Sequence, residues 1–213
     1  MTECKIKICG IRDMAAARAA DQGADYIGFI MSQRFWRYVE PDTVRRICRQ
    51  VPRPAKVGVF VDEPVERIAR LAEYCKLDFV QLHGHEDREY AGRLRQLLRA
   101  KSPHTGIIKA FRYGEDFSVQ AADKYPSDMV LIDSYSQNAE GGSGIAFAWH
   151  RAAEEIRQVE KPCLIAGGIS SGNVREAIEI FRPYGVDVSS ALERNRQKQE
   201  DLIREFLQEA GRL

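Results

Sequence analysis

Short apolar runs, many of them β-branched, recur along the chain and alternate with longer stretches of helical period. This is the pattern of βα units laid around a parallel sheet. Eight segments read as strands: residues 5–11, 25–31, 55–61, 78–83, 105–112, 128–134, 162–168 and 185–191. The stretches between them are amphipathic. In Val65-Glu66-Arg67-Ile68-Ala69-Arg70-Leu71-Ala72 the apolar residues fall at i, i+3, i+4 and i+7, so one face of that helix packs on the sheet. The least periodic helix is the fifth, around residues 117–125.

Eight units in 213 residues give a compact repeat of about 27 residues, and no linker rich in Ser, Gly or Pro interrupts it. The pattern predicts an α/β fold, a single-domain (β/α)8 TIM barrel over residues 1–213, small for its class. The competing architecture, an open doubly wound sheet, normally has fewer strands and a Gly-rich fingerprint after the first, where Gly10 here stands alone.

Charge narrows the partners. Lys plus Arg number 32 against 31 Asp plus Glu, interspersed along the helices, which gives no electrostatic case for nucleic acid or an anionic membrane. The five cysteines are odd in number and lack C-x-x-C spacing, which argues against a disulfide frame or structural zinc and fits a reducing cytoplasm. No apolar run approaches the roughly 18 residues of a membrane span. The start Met1-Thr2-Glu3-Cys4-Lys5 leads into a strand pattern and not a signal peptide. The expectation is a soluble, cytoplasmic protein.

In such a barrel chemistry sits at the C-terminal ends of the strands. Strand one ends in Cys9, followed at once by Gly10, which puts a thiol at a cavity mouth. Strand four ends in Gln81-Leu82-His83, strand six in Leu131-Ile132-Asp133-Ser134, strand seven in Ala166-Gly167-Gly168 and strand eight in Asp187-Val188-Ser189-Ser190-Ala191. Asp133 across the mouth from Cys9 supplies two proton-transfer groups of different kind. Singly, each has a plainer reading, since an isolated Cys is usually buried packing and an Asp at a strand end is often a helix N-cap.

Gly141-Gly142-Ser143-Gly144, Gly167-Gly168 before Ser170-Ser171-Gly172-Asn173, and Ser189-Ser190-Ala191 present small residues at adjacent strand ends. Converging N–H groups and helix N-termini there can hold a phosphate, although any one Gly-Gly pair is also ordinary turn chemistry. Arg34-Phe35-Trp36-Arg37-Tyr38 reads as a surface loop or as a cationic, aromatic partner for a carboxylate on a flat ring. His83, Gly84, His85, Glu86 and Asp87 resemble a metal-ligand cluster but read better as a solvated cap, so no metal is expected.

The ordered set of motifs resembles the phosphoribosylanthranilate isomerases of tryptophan biosynthesis over almost the whole chain. Lys7-Ile8-Cys9-Gly10 is similar to that family's opening signature, and Gly23-Ala24-Asp25-Tyr26-Ile27-Gly28-Phe29 to its second strand, with Arg37-Tyr38-Val39 after it. Val57-Gly58-Val59-Phe60-Val61, Val80-Gln81-Leu82-His83-Gly84 and Ile108-Lys109-Ala110 match the next three strands. Leu131-Ile132-Asp133-Ser134 with the glycine run and Phe147-Ala148-Trp149, Leu164-Ile165-Ala166-Gly167-Gly168 with Asn173-Val174, and Gly185-Val186-Asp187-Val188-Ser189-Ser190 complete the series.

The resemblance implies an Amadori rearrangement of N-(5-phosphoribosyl)anthranilate without metal or cofactor. Asp133 would be the general acid and Cys9 the general base. Arg37 would bind the anthranilate carboxylate, and Gly142, Ser143, Gly168, Ser190 and Ala191 would surround the phosphate. The implied partner is a small phosphorylated substrate, on a monomer or homodimer. Departures from the family pattern are Phe35-Trp36 where Ser-Pro is usual, Ala148 for an acid, Ala191 for a common glycine, and Arg196-Gln197-Lys198-Gln199 without the usual Gly and Asp. Two other readings stay open: a phosphoribosyl-sugar isomerase shared with histidine synthesis, whose chemistry resembles a carboxylate where this chain has Cys9, and a non-catalytic phosphometabolite-binding paralogue.

Overall fold

The computed structural model describes residues 3–133 and 142–213, without the side chains of residues 142–148. Eight parallel strands run β1 (Lys5–Cys9), β2 (Tyr26–Ile30), β3 (Ala55–Phe60), β4 (Phe79–Leu82), β5 (Gly106–Arg112), β6 (Met129–Asp133), β7 (Cys163–Ala166) and β8 (Gly185–Val188). They pair in chain order, and β8 returns to pair with β1, which closes the barrel. Helices follow the strands: α1 (Met14–Ala20), α2 (Pro41–Gln50), α3 (Val65–Cys75), α4 (Arg88–Lys101), α5 (Val119–Lys124), α6 (Gly142–Ile156), α7 (Val174–Phe181) and α8 (Glu200–Glu209). The expected (β/α)8 architecture is present, and the fifth helix is the shortest, at 6 residues.

Both faces of every strand are covered, so alternate residues serve two cores. Ile6 and Ile8 of β1 pack outward in the layer between barrel and helices, with Ile27, Phe29, Val80 and Leu82. Tyr26, Val57, Ile108, Met129, Leu131 and Leu164 fill the lumen as a separate apolar cluster. The lumen turns polar toward the C-terminal strand ends, where Lys7, Cys9, Gln81, Asp133 and Asp187 stand on that same inward face.

The strands are shorter than their sequence pattern. Asp25, Asp78 and Asp128, expected as first strand residues, sit just before β2, β4 and β6. Each carboxylate accepts a backbone N–H of the preceding strand: Ile6 N at 2.9 Å, Lys56 N at 2.8 Å and Ile107 N at 2.7 Å. At the other end, Gly167 and Gly168 take φ of +93° and +70°, which ends β7 at Ala166. Residues 189–191 leave the sheet for a 3₁₀ turn, Ser190–Leu192. A two-residue hairpin that the strand pattern does not reveal, β9 (Glu193–Arg194) with β10 (Gln197–Lys198), follows it. Among the described residues no helix is long and apolar enough to cross a membrane.

Candidate active site

A cleft of about 560 Å³ opens at the C-terminal end of the barrel, lined by Cys9, Arg37, Asp133, Gly168 and Ser190 together with Trp36, Gln81, His83, Arg112, Asp187 and Ser189. Five sequence-predicted site residues therefore meet in one cavity. Ala191 follows Ser190 in the 3₁₀ turn, is exposed, and is not among the lining residues. Gly142 and Ser143 are the first residues of α6, and their side chains lie outside the described residues. Two larger or comparable cavities, one along α2 beside Tyr74 and one between Arg88 and Tyr125, hold neither proton-transfer residue.

The thiol is seated by its neighbours. Gly28 faces Cys9 across the β1–β2 register, and a Cβ there would lie 2.8 Å from Cys9 Sγ, so the glycine makes the room that the sulfur occupies. Lys7, fully buried and two residues earlier on the same face, holds Asp187 Oδ1 at 2.7 Å, its register partner on β8. Burial pushes the Cys9 thiol above the ordinary value; Lys7 and Lys198 pull against it, and Asp187 adds to it. Burial also opposes the charge on Lys7, but the Asp187 carboxylate, joined by the Cys9 sulfur once it ionises, outweighs it and holds the ammonium. The thiol thus carries its proton in the resting site beside a fixed cation that stabilises the thiolate when it forms.

His83 is held neutral, chiefly by burial and further by Lys7 and Lys109, against the opposing pull of Asp133 and Glu86. Gln81 Nε2, which can only donate, lies 2.8 Å from His83 Nδ1, so that nitrogen accepts and the ring proton sits on Nε2.

At the opposite rim, small residues leave space for an anion. A Cβ on Gly168 would meet no described atom within 4 Å, so any side chain there projects into the cleft. Its loop is fixed by Asn173, whose Nδ2 donates to Gly168 O at 2.9 Å while its Oδ1 accepts from Ser170 N at 2.8 Å. Arg37 Nε and Nη2 donate to the two oxygens of Glu193 at 2.9 and 2.8 Å, and the guanidinium lies 4.2 Å from the Trp36 ring centroid. Lys198, almost buried, ties Glu193 Oε1 and Ser189 O at 2.9 and 2.8 Å, so the hairpin braces both Arg37 and the end of β8.

The family profile for N-(5'-phosphoribosyl)anthranilate (PRA) isomerase matches residues 6–209. The chain belongs to the phosphoribosylanthranilate isomerase family. An isomerase of that name from Desulforudis audaxviator is 39% identical over 206 residues, covering 95% of both chains. One from Bacillus cereus (strain Q1) is 37% identical over 205 residues, covering 95% of this chain and 96% of the relative. The crystal structure of phosphoribosyl anthranilate isomerase from Thermotoga maritima superposes with a TM-score of 0.79 at 32% identity, covering 99% of this chain and all of that one. A further solved isomerase, 31% identical with a TM-score of 0.78 over 99% of this chain and 100% of its own, is a complex with reduced 1-(O-carboxyphenylamino)-1-deoxyribulose 5-phosphate.

Sequence reasoning gave no role to Gln81 and Asp187, which line this cleft, or to Lys7, Glu193 and Lys198, which brace it. His83, read there as part of a solvated cap, instead lines the cleft, and Glu86 of the same cap is buried against Lys109. A signal was available for two of them. Lys7, between Ile6 and Ile8, and Asp187, between Val186 and Val188, are charges flanked by apolar strand residues, at inward positions set by the period of Cys9 and of Ser189. Glu193 and Lys198 are placed by a turn with Asn195 and Arg196 at φ +51° and +61°, a conformation that Asn adopts readily but Arg does not advertise.

Proposed function

We propose that this isomerase converts N-(5-phosphoribosyl)anthranilate to 1-(2-carboxyphenylamino)-1-deoxyribulose 5-phosphate, with Asp133 as general acid and Cys9 as general base. The observation that carries the reading is that the thiol, the carboxyl and the Gly168 and Ser190 turns line one cleft at the strand ends. Asp133 protonates the furanose ring oxygen, the C1–O bond breaks, and the anilino nitrogen takes up the charge as an iminium. The Cys9 thiolate then removes the proton from C2 to give an enolamine. That intermediate gains a proton at C1 and loses one from the C2 hydroxyl to become the ketone. The iminium acidifies the C2 proton, so a thiolate suffices as base.

Arg37 spends Nε and one Nη2 hydrogen on Glu193 and keeps Nη1 for the anthranilate carboxylate. Gly168, Ser190 and Ala191, with the start of α6 at Gly142 and Ser143, receive the phosphate. We read residues 1–213 as one barrel domain acting in the cytoplasm, as monomer or homodimer, on a small phosphorylated substrate and without nucleic acid or membrane. Supporting this are the near-balanced charge and the scattered free cysteines.

The direct experiment follows the loss of phosphoribosylanthranilate with purified protein. Turnover supports the isomerase, and binding without turnover means the non-catalytic paralogue. Turnover of the corresponding histidine-pathway aminoaldose as well would extend the activity to both pathways.

A further inference from the structure

Three buried side-chain atoms have no hydrogen-bond partner among the described residues: Asp21 Oδ1, Gln81 Oε1 and Ser127 Oγ. Only Gln81 lines the cleft. Its side chain is 1% exposed, and its amide nitrogen is already committed to His83 Nδ1. A buried carbonyl without a donor is unfavourable in the empty protein and becomes favourable when a ligand supplies an N–H or O–H. Gln81 therefore stands ready as an acceptor inside the cavity that holds the acid and the base.

The chemistry selects the donor. Asp133 acts on the ring oxygen attached to C1 and Cys9 on the hydrogen of C2, so the group attached to C1 between these events is the anilino nitrogen. Its N–H turns strongly acidic as the ring opens. A carboxylate facing it would take the proton and quench the iminium, whereas a neutral carbonyl stabilises the charged N–H without removing its proton.

Resting on the isomerase reading, we propose that Gln81 Oε1 accepts a hydrogen bond from the anilino N–H of the substrate, a bond that strengthens as the iminium forms, while the Gln81 amide holds His83 with its proton on Nε2. An interaction that grows toward the transition state acts on kcat more than on KM. The Gln81→Met variant keeps the length and removes the acceptor together with the donor to His83 Nδ1. It should lose about 10²-fold in kcat, the size seen when one preorganised hydrogen-bonding group is removed, with KM changed by less than about 3-fold. Its melting temperature should change little, since an unpaired buried carbonyl is gone but His83 Nδ1 loses its donor.

Two product analogues test the contact itself, one with the anilino N–H and one with an ether oxygen in its place. The unmutated protein should bind the amine at least about tenfold more tightly, and Gln81→Met should lose that preference. In the unmutated protein the Gln81 side-chain ¹³Cδ resonance should move with the amine and not with the ether, and His83 should show ¹⁵N shifts of a ring protonated at Nε2. An undiminished amine preference in Gln81→Met, or a ¹³Cδ resonance that responds equally to both analogues, overturns the proposal. Absence of wild-type turnover, measured first, would instead remove the isomerase reading on which it rests.

Discussion

The Lys7 ammonium lies 2.7 Å from Asp187 Oδ1 inside the barrel, on the same inward face of β1 as Cys9. Two strands at the closure of the barrel thus place a compensated cation beside the proposed base. Lys7→Met leaves the Asp187 carboxylate buried without its partner, which costs about 3–5 kcal/mol in urea unfolding. Adding Asp187→Leu should restore most of that stability and none of the activity. A single variant as stable as the unmutated protein would show that the pair is not ionised as described.

Burial holds the Cys9 thiol above the ordinary 9.0. In the free protein its alkylation rate, followed by mass spectrometry, should therefore rise with pH to a midpoint above that of an ordinary thiol, and a bound product analogue should protect it. Because the reaction needs a protonated carboxyl and an ionised thiol together, kcat/KM should be bell-shaped, with its alkaline limb tracking the alkylation midpoint. A thiol titrating well below 9.0 would contradict this electrostatic account.

Strand order, barrel closure and the inward-facing positions of Cys9 and Asp133 were legible in the sequence, because period 2 and the recurrence of βα units dictate them. The strand ends were not, since the acids at Asp25, Asp78 and Asp128 look like strand residues until their carboxylates find the backbone of the neighbouring strand. Nor was the Arg37–Glu193–Lys198 network. It depends on a hairpin of two-residue strands, too short for any periodicity, and on non-glycine residues at positive φ.

Gly28→Ala places a methyl 2.8 Å from Cys9 Sγ, within a strand whose backbone is pinned on both sides. The sulfur must rotate or β2 must shift, so kcat should fall by about 10-fold or more with a stability loss of about 1–3 kcal/mol. Steady-state kinetics with a urea titration checks both, and unaltered kcat would mean that the thiol does not need its present seat.

Glu193 is opposed by burial but held below its ordinary 4.5 by the hydrogen bonds and charges of Arg37 and Lys198. A carboxylate with a depressed folded-state pKa contributes stability above the unfolded value of 4.5 that is lost as pH falls through the folded value. Urea midpoints measured from pH 6 down to about 3 should fall less steeply in Glu193→Gln than in the unmutated protein. Parallel curves would mean that the acid is not held as its geometry indicates.

The central claim is that Cys9 and Asp133 carry the proton transfers, and kcat/KM for phosphoribosylanthranilate in Cys9→Ala and Asp133→Asn tests it most directly. Each variant should fold normally, bind the product analogue, and lose at least about 10³-fold in kcat/KM. Retention of activity within about tenfold by either folded variant would contradict the assignment.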